Sequence, residues 1–146
     1  MLLGSLIDLG VNIDILKKTL IKIDKRLSIK IKNVSRGLNQ CKLIEPIIPK
    51  SLDKSFNWDE LKDFIEFIKD EAVVYKNSLE TIDLIEKCEL EVHRSNSTKP
   101  HELGNFDTVF DIVCFYKCID VLKIDKLYHS GVPYSQGEIK ISHGNV

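Results

Sequence analysis

The chain has 146 residues, 43% of them hydrophobic and 29% charged, enough apolar material for one compact domain with a real core and too little for two comfortable ones. Its 21 Lys and Arg against 22 Asp and Glu give a formal net charge of -1, which argues against nucleic acid as a partner, since phosphate binding normally needs a net basic footprint. No run reaches the ~20 apolar residues of a membrane span, so a membrane is not an expected partner either.

In chain order, Leu2, Leu3, Leu6, Ile7 and Leu9 before Gly10 predict a short helix with a glycine stop. It is not a signal peptide, because it lacks a basic start and Asp8 interrupts it. Asn12 then caps a second helix whose Ile13, Leu16, Leu20 and Ile23 share one face. Leu27, Ile29 and Ile31 alternate with Ser28, Lys30 and Lys32, the period of a half-buried strand. Gly37 sits near the turn, and a returning antiparallel strand through Cys41, Leu43 and Ile44 is expected to end at Pro46 and Pro49. After a polar loop from Pro49, Asn57 or Asp59 starts an amphipathic helix through Leu61, Phe64, Ile65 and Ile68. A break near Asp70 precedes a longer helix, about Ala72 to His93, with Tyr75, Leu79, Ile82, Ile85, Cys88 and Val92 along one side. Arg94 to Lys99 is a turn-rich link. A last helix from about Phe106 to Leu122 is apolar almost all round, which implies central burial. Leu127 to Val132 and Glu138 to Ser142 read as two closing strands. The expected fold is a single α+β domain over residues 1–146, with amphipathic helices packed on short antiparallel strands and hairpins.

Charge is uneven along this frame. The first third is basic, through residues such as Lys17, Lys22, Lys30, Lys32, Arg36 and Lys42, while Asp53 to Glu91 is acid-rich. Solvated faces of a helix and a hairpin are the plainer account. A phosphate-bearing small molecule is the functional use open to Lys30, Lys32 and Arg36. Cys41, Cys88, Cys114 and Cys118 form no C-x-x-C pair and no secreted-type framework, which fits a reducing cytoplasm. Cys114 and Cys118, one helical turn apart in an apolar stripe, read as core packing, with a soft-metal thiolate pair as the alternative.

The chemistry-bearing stretch runs from Lys99 to Asp125. His101 and Glu102 precede Gly104, and Asp107 and Asp111 follow at i,i+4, on one face of the last helix. One imidazole and several carboxylates make a candidate hard or borderline metal site, with the aspartates as ligands or as groups orienting the imidazole. Asp107 has a plainer account, since a carboxylate in a first helical turn is favoured by unsatisfied amides and the macrodipole. Asp111 is harder to dismiss, because among Val109, Phe110, Ile112 and Val113 an unpaired charge is costly. His93 reads as stabilising a helix C-terminus and His129 as exposed. The sequence holds no nucleophile elbow, phosphate-binding glycine loop, H-E-x-x-H helix or zinc knuckle.

The order of these residues resembles the nickel-insertion proteins of nickel-pincer cofactor biosynthesis (the LarC family), whose pattern reads roughly V-H-F-H-E-V-G-A-V-D-x-I-V-D-I-V-G. His101, Glu102, Gly104, Asp107, Asp111, Ile112 and Val113 match it. Met1 to Gly10 is similar to the family's M-x-L-G-A-L-L-D-L-G. Glu89, Val92 and His93 fit an A-E-A-x-V-H-G helix end, and Tyr128 to Gly144 fits a closing block through Ser130, Pro133, Gly137, His143 and Gly144. The resemblance brings His143 into the metal set beside His101, Glu102, Asp107 and Asp111.

Departures accompany the matches: Lys99 stands at the first histidine of the family's H-x-H, Cys114 at a later glycine and Ser135 at the first glycine of a closing G-x-G. Asn57 to Asp63 carries none of the histidines found there in the family. Relatives begin with a further F-D-C-x-S-G-x-S-G-D segment and continue past the position of Val146 into a C-terminal nucleotide-binding domain, so an N-terminal fragment is expected. The resemblance implies an enzyme that uses CTP, with Mg or Mn, to install nickel in pyridinium-3,5-bisthiocarboxylic acid mononucleotide, releasing CMP and pyrophosphate. This chain would supply metal handling, with the mononucleotide precursor and the nucleotide-binding domain as partners and a homo-oligomer as a further candidate. The alternative is a non-catalytic metal-binding or scaffold domain that has lost the family's activity.

Overall fold

The structure, a computed structural model, describes residues 2–93, 99–100, 102–131, 140–141 and 144–145. Helix α1 (Leu2–Asp8) buries Leu3, Leu6 and Ile7. Helix α2 (Ile13–Ile23) starts where expected, with the Asn12 side chain accepting the Asp14 N–H at 2.9 Å. Leu16, Leu20 and Ile23 line its buried face.

Strands β1 (Ser28–Arg36) and β2 (Asn39–Ile47) form an antiparallel hairpin in which Arg36 faces Asn39 and Ser28 faces Ile47. Gly37, at φ 61°, takes the first of the two loop positions, the place that a type II′ turn reserves for glycine. The strands outrun the expected stretch, and β2 passes through Pro46. In a two-residue hairpin the flanking pair is hydrogen-bonded, and strict alternation from there puts Pro46, opposite Ile29, at a position that lends no N–H to the ladder. Proline therefore costs nothing at that point.

Within the expected Pro49 loop, Lys50–Leu52 makes a 3-10 turn. Helix α3 (Trp58–Glu66) opens on a capping box in which Asn57 accepts from the Glu60 N–H and Glu60 accepts from the Asn57 N–H, both at 2.8 Å. Helix α4 (Ala72–His93) has the expected bounds, but its buried line is Val74, Ser78 and Ile82, while Cys88 and Val92 are exposed. Tyr75, Leu79 and Ile85 of the expected line pack against the core half-buried, and the contact ends before Cys88. Helix α5 (Phe106–Leu122) packs against α1, α2, α3 and α4, as its all-round apolar surface predicts.

The core gathers Leu16, Leu20, Trp58, Leu61, Ile65 and Val113, all but closed to water. Glu71, at the head of α4, ties the helices together by accepting from Lys22 on α2 at 2.7 Å, from Thr19 at 3.0 Å and from Lys117 on α5 at 2.8 Å. Lys62 on α3 likewise reaches Asp83 and Glu86 on α4, each at 2.7 Å. The closing strands differ from expectation. Leu127 to Gly131 form no strand and are exposed throughout, burying nothing that would hold an extended segment in place. Strand β3 (Lys140–Ile141) pairs instead with β4 (Gly144–Asn145). The five helices and the long hairpin make one α+β domain.

Candidate functional site

The start of α5 is held by a clasp between two loops. The Phe56 N–H donates to the Gly104 carbonyl at 2.6 Å. A Cβ on Gly104 would lie 2.8 Å from the Pro100 side chain, 2.9 Å from the Phe56 carbonyl oxygen and 3.0 Å from the Ser55 hydroxyl, so only glycine lets the loops meet. Phe64 packs edge-on against Phe56 and Phe106, with centroids at 5.0 and 5.1 Å. The first turn of α5 thus leaves a fixed platform.

From that platform Asp107 and Asp111 project one turn apart. Asn105 caps the helix by accepting the Thr108 N–H at 3.3 Å, and Asp107 lies in the first turn, where the macrodipole favours a carboxylate as expected. Neither aspartate forms an ion pair or hydrogen bond with the described residues. Both are exposed, so the apolar neighbours of Asp111 in sequence do not enclose its charge; the protein that surrounds it on one side and the neighbouring Asp107 charge still push the Asp111 carboxyl above its ordinary value. Further along the helix, burial, Cys118 and Asp111 push the Cys114 thiol well above its ordinary value, and burial pushes Cys118 up to about 11. Both thiols stay protonated at neutral pH, which fits core packing rather than a thiolate pair.

Asp111 borders a cleft of about 180 Å³ where α5 meets Leu2, Leu3 and Gly4 of α1 and Ile44 of β2. Leu2 and Gly4 also line a larger groove of about 530 Å³ between α1 and the hairpin, walled by Val34, Cys41 and Leu43. At its rim Lys42 pairs with Asp8 at 2.8 Å. The sequence reading missed this groove. Its signal was Gly4, a glycine inside a helix, which marks a close backbone approach. A Cβ there would overlap the Lys42 carbonyl oxygen.

Of the expected metal residues, Asp107 and Asp111 share a face, and Glu102 is exposed in the bend before Gly104. His101 and His143 lie outside the described residues. Among the described residues no three His, Cys, Asp or Glu side chains converge on a point that could hold a metal ion. Lys30 and Lys32 are exposed on β1, Lys32 pairing with Glu45 at 2.7 Å. Arg36 closes the ladder opposite Asn39, and its side chain lies outside what is described, as does that of His93. His129 is exposed, as expected. Among the described residues no helix is long and apolar enough to cross a membrane.

Fold and site together define a small α+β domain that presents, beside an apolar groove, two exposed carboxylates with no ion pair to the described residues. The chain belongs to the nickel insertion protein family, whose model matches residues 1–146. It is 28% identical to the pyridinium-3,5-bisthiocarboxylic acid mononucleotide nickel insertion protein of Acetivibrio thermocellus, over 100% of this chain and 39% of that protein. It is 26% identical to the protein of the same name from Staphylococcus saprophyticus, over 99% of this chain and 37% of the relative. A Clostridium acetobutylicum protein of that name is 34% identical over 58% of this chain and 21% of its own length. The chain spans under two-fifths of the first two relatives' length. No solved structure matches it.

Proposed function

We propose that this chain handles nickel for a CTP-dependent enzyme that metallates pyridinium-3,5-bisthiocarboxylic acid mononucleotide, nickel being cargo rather than a resident cofactor. The observation that carries the reading is the Asp107 and Asp111 pair: carboxylates one turn apart, with no ion pair to the described residues, in a stretch that resembles the family's motif. Two like charges one turn apart on an exposed helix face repel each other, and a divalent ion would relieve that repulsion. His101, Glu102 and His143 complete the donor set in this reading, a mix of imidazole and carboxylate suited to borderline divalent ions. Lys30, Lys32 and Arg36 serve the precursor's phosphate.

CTP, with Mg or Mn, belongs in this proposal to a C-terminal nucleotide-binding domain, and the setting is cytoplasmic, with a homo-oligomer as a candidate assembly. A second reading, a non-catalytic metal-binding or scaffold domain, is favoured by Lys99 standing where the family has histidine. Nickel titration by calorimetry on the chain, on His101→Ala and on Asp111→Asn tests the site. Saturable binding lost in both variants is the expected result. Binding that survives both substitutions, or no binding at all, rejects it. CMP release after a nucleotide-binding domain is supplied separates the enzyme from the scaffold.

A further inference from the structure

The groove between α1 and β2 has its own chemistry. Its walls are apolar, through Leu2, Val34 and Leu43, and its volume of about 530 Å³ falls in the ~300–1,000 Å³ range of small-molecule sites. Its charged rim is Lys42 with Asp8. Val34 faces Cys41 and Lys32 faces Leu43 across the ladder, so the groove wall continues onto the hairpin face that carries Lys32 and, two residues along, Lys30. At the other end, Leu2 and Gly4 are shared with the cleft that Asp111 borders. Apolar wall, cations and carboxylate thus occur in sequence along one surface.

We propose that this groove seats the flat aromatic ring of an anionic pyridinium mononucleotide, with the ring substituents next to Lys42 and the phosphate towards Lys30 and Lys32. The proposal rests on the nickel-handling reading and adds the place where the acceptor lies. The match is one of complementary chemistry: a planar ring against Leu2 and Leu43, an anionic substituent against the Lys42 ammonium, a ring cation beside the Asp8 carboxylate, and a phosphate against exposed Lys30 and against Lys32, whose present partner Glu45 it would replace. A ring so placed has the Asp111 cleft as its immediate neighbour, the side from which a metal held by Asp107 and Asp111 would arrive.

The test uses the nickel-free 146-residue chain and a stable probe, the oxygen analogue pyridinium-3,5-dicarboxylic acid mononucleotide, followed by calorimetry and amide chemical shifts. Expected are saturable binding, shifts at Ser5, Cys41 and Leu43, and at least a tenfold loss of affinity in Lys42→Met. Ser5→Phe, which fills the groove from an exposed helix position, is expected to abolish binding and guards against a folding defect at Lys42. No probe binding overturns the seat, as does binding that both variants leave intact. Shifts reproduced by ribose 5-phosphate alone, or by raising protein concentration without probe, also overturn it in favour of a bare phosphate site or a second copy of the chain. Because the probe is titrated without nickel, loss of this seat and loss of the nickel site are separate results.

Discussion

Helix α5 carries charge on two sides, and the two are resolved differently. Towards α2 and α4, Lys117 meets Glu71 at 2.8 Å, with Lys22 and Thr19 completing the carboxylate's partners. Towards α1 and the hairpin, Asp107 and Asp111 meet no cation among the described residues. The first arrangement is what holding a fold requires, since a half-buried charge left alone would undo it. The second pair is exposed and held by nothing among the described residues, so the contrast separates the structural charges of this helix from those available to a ligand.

The sharpest way to break the contrast is at Glu71. Against the cost of its burial, hydrogen bonds from Lys117, Lys22 and Thr19 hold this carboxyl below its ordinary value of 4.5. Glu71→Gln leaves two ammonium groups facing a neutral amide and is expected to cost about 2 kcal/mol, less than the ~3–5 kcal/mol of a fully buried pair because both partners keep some water. A lowered carboxylate stabilises above the unfolded value and loses that contribution as pH falls through the folded one. Urea denaturation at a series of pH values is therefore expected to show the full difference from wild type at neutral pH and its disappearance in acid.

Ser78 extends the comparison to a neutral group. Its hydroxyl is fully buried on α4 and has no hydrogen-bond partner among the described residues. Ser78→Ala removes an uncompensated polar atom and improves helix propensity, and is expected to stabilise by about 1 kcal/mol in the same assay. A loss of stability would mean that the hydroxyl has a partner after all.

Asp111→Asn is expected to give the smallest change in stability, and one opposite in sign to Glu71→Gln. Burial and Asp107 raise this carboxyl above its ordinary value of 3.8, so the folded state binds the proton more tightly than the unfolded chain does. The asparagine variant is therefore expected to be the more stable above the raised value and to lose that advantage as pH falls below 3.8. A variant that gains stability while losing nickel in calorimetry is the signature of a functional charge. One that loses stability at neutral pH would place Asp111 with Glu71.

How much of this was legible in the sequence depended on how local the cause was. Asn12 and Asn57 announce their helices because a cap acts within three residues, and the bounds of α4 and α5 follow from periodicity and their ends. The strand alternation was legible too, but not that β2 tolerates Pro46, because that depends on hydrogen-bond phase counted from Gly37. The exposure of Cys88 and Val92 was hidden, since an apolar stripe does not say where its neighbours stop. At the site, Asp107 and Asp111 were readable as a pair from their spacing. Their lack of a counter-charge among the described residues was not, and neither was the Lys42 rim, because both depend on α1 coming to rest against a strand distant in sequence.

That resting point has a consequence for selectivity. At Gly4 the helix and the strand touch backbone to backbone, so no side chain that could change rotamer stands between them. The spacing of the walls is then a property of the main chain, like the gap of a fixed gauge. Molecules would be sorted there by thickness before any charge is read, and a methyl group added at position 4 would widen the gap and abolish the sorting without touching a single polar group.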